Sequence, residues 1–184
     1  MEKGTALLVM DMQMGIINSF PDGEMVIGTI AKAIQAARRK GIPVMYVRLN
    51  FRPGAPDISM NNKSFSTGIK ELWAKTNPAE FEKIHPDLAP VEGDIIVTKK
   101  RISAFTGSDL ELVLRSMGIQ HLVLSGFATS GVVLSTLREA ADKDYVLTVL
   151  EDGCADRDPE VHRVLTTKIF PRQANVVTVE EWSK

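Results

Sequence analysis

The apolar and polar positions along the chain alternate between short apolar runs and amphipathic stretches. Thr5–Met10 is an apolar run that stops at Asp11, a pattern typical of a strand that is covered on both faces of a parallel sheet. Residues 25–40 instead carry apolar side chains at helical spacing, and Gly41 is expected to end that helix. The chain therefore begins with the pattern of a strand followed by a helix.

The same alternation continues along the rest of the chain. Further strands are predicted at residues 43–47, 94–98, 121–125, 145–150 and 175–178, and further helices at residues 110–117, 132–143 and 159–169. Strands that alternate with helices imply βαβ units, so the predicted fold class is α/β around a parallel sheet. Such a sheet binds ligands at the carboxyl ends of its strands, and candidate chemistry is expected in the turns after them.

One long connection, residues 50–91, interrupts the alternation. It is rich in Pro, Gly and Asn, and carries scattered aromatic residues. A connection of this length in a compact domain is usually functional or part of an interface. Two interpretations stay open: a surface excursion that packs its own aromatic side chains, and a lid or subunit contact over the strand ends. Because no linker or repeat is visible, residues 1–184 are interpreted as one domain.

The composition is that of an ordinary soluble globular protein. The 184 residues are 44% hydrophobic and 24% charged, with a formal net charge of −1. This balance favours neither a nucleic-acid partner nor a membrane partner, and no apolar run reaches membrane-spanning length. Cys154 is the single cysteine, and residues 1–4 lack the features of a signal peptide, so a cytoplasmic location is expected.

Polar residues follow the first and third predicted strands. Asp11 and Gln13 follow the first, and a partly buried carboxylate there suits acid–base chemistry, although a cap or loop anchor is the common alternative. Lys99 and Arg101 follow the third and face one side if the chain stays extended. Two cations that face one pocket favour an anionic or carbonyl ligand, whereas a solvated basic cluster remains the alternative.

The turn after the fourth strand supplies hydrogen-bond donors. Thr129 or Ser130 is a natural N-cap for the helix that follows. The backbone N–H groups of Gly131, Val132 and Val133 would then form an anion or oxyanion site, unless they serve only the helix start. The turn is therefore a candidate ligand-binding element.

The cysteine and the histidines are weak candidates for a nucleophile or for metal ligands. Cys154 follows the fifth predicted strand without a histidine at a suggestive spacing, which favours an inert packing residue. His85, His121 and His162 are isolated in sequence and show no metal-ligand spacing. No metal or other cofactor is expected.

These motifs together resemble the isochorismatase-like (cysteine hydrolase) superfamily. The matching positions are residues 7–13, 97–99, 101, 103–105, 126–129, 136, 140 and 151–152. The resemblance implies a three-layer α/β sandwich around a parallel sheet with strand order 3-2-1-4-5-6. It also implies a small-molecule substrate, a homo-oligomer, and a cis peptide bond that does not involve proline within residues 127–129.

The amidohydrolases of this family use an Asp, a Lys and a nucleophilic Cys. By motif the first two are Asp11 and Lys99, but Val132 occupies the Cys position, so the acyl-enzyme route is not available there. True isochorismatases carry Gly at this position and use the Asp as a general acid. The Asp-x-His metal motif of nicotinamidases is replaced by Asn50 and Arg52 at its outer positions, which again predicts no metal.

Two classes of function stay open. The first is a hydrolase without covalent catalysis, in which Asp11 transfers a proton and Lys99 holds and tunes Asp11. The expected substrate-binding residues are Gln13, Arg101, Thr129, Ser130, Gly131 and Val132. The second is a non-catalytic ligand-binding protein that kept the fold. A relocated nucleophile at Ser130 or Cys154 is a third possibility.

Overall fold

The computed structural model describes residues 4–184 and contains a six-stranded sheet in which all neighbouring strands run parallel. The strands are β1 (Thr5–Met10), β2 (Val44–Leu49), β3 (Ile95–Lys99), β4 (His121–Phe127), β5 (Val146–Ala155) and β6 (Asn175–Val177). Their order, β3-β2-β1-β4-β5-β6, confirms the order that the resemblance implied. The expectation about a signal peptide rests largely on residues 1–3, which lie outside the described residues.

Helices connect the strands. They are α1 (Met14–Ile17), α2 (Ile27–Lys40), α3 (Lys70–Lys75), α4 (Pro78–Glu82), α5 (Leu110–Ser116), α6 (Leu134–Asp142), α7 (Pro159–Val164) and α8 (Val179–Ser183). Wider π-helical turns lie at Phe65–Ile69, Thr129–Val133 and Leu165–Ile169, and 3-10 turns at Pro21–Val26, Pro86–Leu88 and Phe170–Arg172. Between residues 4 and 184, no helix is both long enough and apolar enough to cross a membrane.

Strand β1 lies between two hydrophobic cores. Its successive side chains point to opposite faces of the sheet. Leu7 and Val9 pack in the core that contains α2, whereas Leu8 and Met10 pack in the core that contains α5 and α6. Because both faces of β1 are covered, its continuous apolar pattern has a direct explanation, and the predicted three-layer α/β arrangement is confirmed.

Two elements differ from their predicted bounds in ways that affect the site. The helix predicted at residues 132–143 starts as the π-helical turn Thr129–Val133 and becomes α-helical only as α6. Strand β5 continues to Ala155 after a register shift before Gly126, so Cys154 lies inside the strand and not after it. Pairing with β4 extends the strand, and a local apolar pattern does not reveal such pairing.

Candidate active site

A cavity of about 480 Å³ lies at the carboxyl ends of β1, β3 and β4. Asp11 and Lys99 line it together with Ala128, Ser130, Gly131 and Val132 from the turn after β4. Most of the remaining wall is apolar, with Ile16, Phe20, Leu49, Phe65, Ile69, Leu72, Ile102 and Phe127. A mostly apolar cavity of this size, with a few polar groups, is typical of a small-molecule site.

Asp11 is held at the end of β1 in a left-handed backbone conformation, with a φ of 58°. Its N–H donates to the carbonyl of Val47 at 2.8 Å, which ties this turn to β2. The carboxylate Oδ2 lies 3.0 Å from the Nζ of Lys99, while the buried Oδ1 has no hydrogen-bond partner among the described residues. Burial raises the pKa of the Asp11 carboxyl, and the Lys99 ammonium only partly opposes that rise.

Lys99 is only 1% exposed at the end of β3. Besides its contact with Asp11, its Nζ donates to the carbonyl oxygens of Arg101 at 2.9 Å and Ile102 at 2.8 Å. An ammonium has three N–H donors, so each one has an acceptor and the group is fixed in place. The predicted contact between Asp11 and Lys99 is confirmed, while their catalytic roles stay predictions.

The turn after β4 brings the motif's cysteine position to the cavity. The peptide bond between Phe127 and Ala128 is cis, as the resemblance implied. Gly126 has a φ of 137°, and a Cβ at this position would collide with the carbonyl oxygen of Met10, so only glycine lets β4 approach β1 so closely. Val132 follows, 2% exposed and lining the same cavity as Asp11 and Lys99.

The predicted row of free backbone donors is wrong in part. The N–H groups of Gly131 and Val133 donate to the carbonyl oxygen of Ala128, at 3.0 and 3.3 Å. That carbonyl lies at the helix start and occupies the donors that a substrate anion was expected to use. Gly131 therefore lines the cavity without offering the predicted oxyanion contact.

Thr129 and Ser130 also differ from the prediction. The helix is not capped by either side chain, and the buried Thr129 hydroxyl lies 2.8 Å from the Nδ1 of His162. The Thr129 hydroxyl therefore faces α7, and Thr129 is not among the residues that line the cavity. Ser130 does line the cavity, but its backbone N–H donates to the Asp156 carboxylate at 2.7 Å.

Gln13 is a structural residue, which corrects the expectation that it binds substrate. Its side chain is fully buried and does not line the cavity. The amide nitrogen donates to the carbonyls of Leu49 and Phe81 at 2.9 and 2.8 Å, and the amide oxygen accepts from the N–H of Leu49 at 2.6 Å. With these bonds the amide joins the turn after β1 to β2 and α4.

Arg101 is also wrongly assigned as a cavity residue. Its guanidinium donates to the carbonyl of Lys100 at 2.6 Å and lies 5.8 Å from the ring centroid of Phe65, and Arg101 is not among the residues that line the cavity. The contribution of Arg101 to the site comes from its main chain, because its carbonyl oxygen accepts a hydrogen bond from Lys99.

Arg157 is the cavity residue that the sequence analysis missed. It lines the cavity near Ser130 and Asp156, and its guanidinium carbon lies 4.7 Å from the ring centroid of Phe20. No carboxylate of residues 4–184 forms an ion pair with it. Arg157 lies just after β5 only because that strand continues to Ala155, beyond the predicted end at residue 150, so the local pattern carried no signal for it.

The long connection, residues 50–91, forms one wall of the cavity. Phe65 and Trp73 are buried in the core of the α2 face, and Ser64, Phe65, Gly68, Ile69 and Leu72 line the cavity. The connection therefore both packs its own aromatic residues and covers the strand ends. Asn50 supports this wall, because its side-chain oxygen accepts the indole N–H of Trp73 at 2.9 Å.

Neither Cys154 nor a metal cluster adds reactive groups to the described site. Cys154 is 3% exposed, does not line the cavity, and burial raises the pKa of its thiol to about 12. Within the described part of the chain, no group of three or more His, Cys, Asp or Glu side chains is placed to hold a metal ion. The expectation that no metal is bound stays a prediction.

Comparisons with known proteins agree with the motifs. Residues 5–181 match the model of the isochorismatase domain. The uncharacterized isochorismatase family protein YwoC of Bacillus subtilis is 32% identical over 97% of this chain and 92% of its own length. The N-carbamoylsarcosine amidase of Arthrobacter is 31% identical over 78% of this chain and 54% of its own length. The structure of an isochorismatase family protein from Burkholderia thailandensis superimposes with a TM-score of 0.84 at 29% identity, covering 98% of this chain and 94% of that one.

Proposed function

The chain belongs to the isochorismatase family of hydrolases, and we propose that it hydrolyses a small anionic molecule by acid–base chemistry of Asp11, without a covalent enzyme intermediate. One observation carries this proposal. Asp11 lines the cavity with a carboxyl group of raised pKa whose Oδ1 has no partner among the described residues, next to the fixed ammonium of Lys99. A buried carboxyl with a raised pKa keeps its proton to higher pH than an exposed one, which suits it to proton transfer.

The residue at position 132 decides which hydrolysis route is open. Val132 is the residue that the motif predicts at the position of the amidohydrolases' nucleophile; it lines the cavity, and its side chain cannot form an acyl-enzyme. Cys154 does not replace it, because its thiol is buried outside the cavity and has a pKa of about 12. Ser130 lines the cavity too, but its hydroxyl has no hydrogen bond to a base among the described residues that would activate it. The chemistry that fits best is therefore one in which water is the nucleophile.

Hydrolysis of a vinyl ether meets this condition. The protonated Asp11 carboxyl would donate its proton to the terminal vinyl carbon, which leaves an oxocarbenium ion and a carboxylate. Water then adds to the cationic carbon and returns a proton to Asp11. The resulting hemiketal breaks down to an alcohol and a ketone. The Lys99 ammonium would hold Asp11 in place through this cycle and stabilise its carboxylate form.

Arg157 supports an anionic substrate. It is exposed, lines the cavity, and has no acidic partner among residues 4–184, so its guanidinium is available for a carboxylate. The planar guanidinium can bind a carboxylate through two parallel hydrogen bonds. The apolar side chains between Arg157 and Asp11 favour a substrate whose body is apolar and whose charge lies at one end.

The test is a substrate screen with a matched pair of variants. Vinyl-ether carboxylic acids and small amides are incubated with the protein, and the product is followed by chromatography. Asp11→Asn is expected to lower the rate by about 10²–10⁴-fold, because it keeps the shape of the side chain and removes the transferable proton. Asp109→Asn is the control, since Asp109 is exposed and its side chain makes no capping hydrogen bond.

Two outcomes contradict the proposal. Full activity of the Asp11→Asn protein on any substrate would exclude acid–base catalysis by this carboxyl. Tight binding of a cavity ligand without turnover in either substrate class would favour a non-catalytic ligand-binding protein.

A further inference from the structure

One face of a short helical segment forms a wall of the cavity. Ser64, Phe65, Gly68, Ile69 and Leu72 line the cavity from the π-helical turn Phe65–Ile69 and from α3. Residues at spacings of three and four lie on the same side of a helix. Gly68 is therefore in the middle of the cavity-facing side, between Phe65 and Leu72.

Nothing in the packing around Gly68 requires a glycine. A Cβ added there would meet no heavy atom within 4 Å, and its φ is not in the left-handed region. Gly15 shows the opposite case, because a Cβ there would collide with the ring of Phe81. Glycine weakens a helical segment compared with alanine. Gly68 lines the cavity at an exposed position, so a side chain there would take space at the open side of the cavity.

The wall cannot easily move outward to compensate for an added side chain. The ring of Phe51 packs edge-to-face against Phe65 at 5.9 Å and against Trp73 at 6.0 Å, measured between ring centroids. The indole N–H of Trp73 is bonded to Asn50 at the end of β2. Packing at both ends of the segment therefore fixes its distance from the sheet.

We propose that Gly68 is a specificity-determining residue, whose missing side chain leaves the cavity wide enough for the apolar body of the substrate. The proposal rests on the proposed function only in taking this cavity as the substrate site. A larger residue at position 68 excludes wide ligands and still admits narrow ones. An added Cβ at position 68 meets neither Asp11 nor Lys99 within 4 Å, so Gly68→Ala leaves this pair unchanged.

The test measures cavity width without any turnover. Val132→Cys introduces a thiol at the cavity wall, and its alkylation by iodoacetamide and by the wider N-cyclohexylmaleimide is followed by intact-protein mass spectrometry. The protein without this substitution gives the background from Cys154, which is buried and has a thiol pKa of about 12. Gly68→Ala and Gly68→Leu are added to Val132→Cys as a graded pair.

Gly28→Leu is the matched control. Gly28 is an exposed glycine in α2, an added Cβ there also meets nothing within 4 Å, and it does not line the cavity. Circular dichroism confirms that each variant is folded before its alkylation is compared.

The expected result is a change in the ratio of the two alkylation rates. Gly68→Leu lowers the rate with N-cyclohexylmaleimide relative to iodoacetamide by about tenfold or more, as steric misfit in a pocket commonly does, and Gly68→Ala lowers it less. Gly28→Leu leaves the ratio unchanged. Three outcomes would overturn the proposal. The first is an unchanged ratio in Gly68→Leu, and the second is an equal fall in the rates with both reagents. The third is a thiol at position 132 that reacts with neither reagent while position 68 is still glycine. Alkylation needs no catalysis, so failure of the hydrolysis proposal would appear separately, in the Asp11→Asn comparison.

Discussion

Replacing Lys99 by methionine should destabilise the protein, and the loss should grow as the pH rises. The substitution keeps a similar volume but removes the ammonium from Asp11 and from the two carbonyl oxygens that Lys99 binds. Removal of one partner from a buried ion pair costs about 3–5 kcal/mol. We expect a loss in this range in the free energy of unfolding at pH 7 to 8, roughly where a carboxylate without its partner is least tolerated.

The pH dependence follows from the raised pKa of Asp11. A carboxyl whose pKa in the folded protein lies above its usual 3.8 binds its proton more tightly when folded. The stability from this proton is fully present below pH 3.8 and is lost as the pH rises through the folded-state pKa. Without the opposing ammonium of Lys99 the folded-state pKa rises further, so the variant keeps losing stability at pH values where the natural protein no longer does. The slope for one proton is at most about 1.4 kcal/mol per pH unit.

The assay is urea unfolding between pH 4.5 and 8, followed by tryptophan fluorescence. Lys32→Met is the control, because Lys32 is exposed on α2. The double substitution Asp11→Asn with Lys99→Met should remove the pH dependence that Lys99→Met adds, since the Asp11 carboxyl no longer titrates. A loss in Lys99→Met below about 1 kcal/mol, the size expected of an exposed pair, would refute the reasoning, and so would a loss that shrinks as the pH rises.

Two further outcomes test the assignment of the cavity residues. Iodoacetamide should leave the turnover of the natural protein intact, because Cys154 is buried, lies outside the cavity and has a thiol pKa raised by burial to about 12. Inactivation by iodoacetamide that the substitution Cys154→Ser prevents would place Cys154 in the site. Arg157→Gln should raise KM for an anionic substrate by roughly 10–100-fold, which corresponds to the loss of a charge-assisted hydrogen bond of about 1.5–3 kcal/mol. The value of kcat should change little, because this bond is made equally in the ground state and in the transition state. Arg163→Gln is its control, since Arg163 is exposed and pairs with Glu160, and an equal effect of both substitutions would remove Arg157 from the site.

The local pattern of the sequence was sufficient for the order of the elements and for two of the site's residues. The apolar run Thr5–Met10 was predicted with both ends correct, because burial on both faces leaves a local signature. The helix predicted at residues 25–40 starts later, at Ile27, but its end at Gly41 was correct, because a left-handed C-cap also leaves a local signature. Asp11 and Lys99 were found because parallel strands end at the same edge of a sheet, so residues just after such strands lie close together.

Tertiary structure decided which polar groups are free to meet a ligand. Gln13, Arg101 and Thr129 have the chemistry of ligand-binding residues, but their side chains contact other parts of the protein. The amide of Gln13 bonds to Phe81, the hydroxyl of Thr129 bonds to His162, and the guanidinium of Arg101 lies against the ring of Phe65. Arg157, by contrast, reaches the cavity without an acidic partner among the described residues. Hydrogen-bond capacity is limited, and whether it is already used depends on which distant segments pack together, so the pattern of one segment cannot reveal it. The same limit applies to Gly68, because a missing side chain matters only where the fold turns that side of the helix toward a cavity.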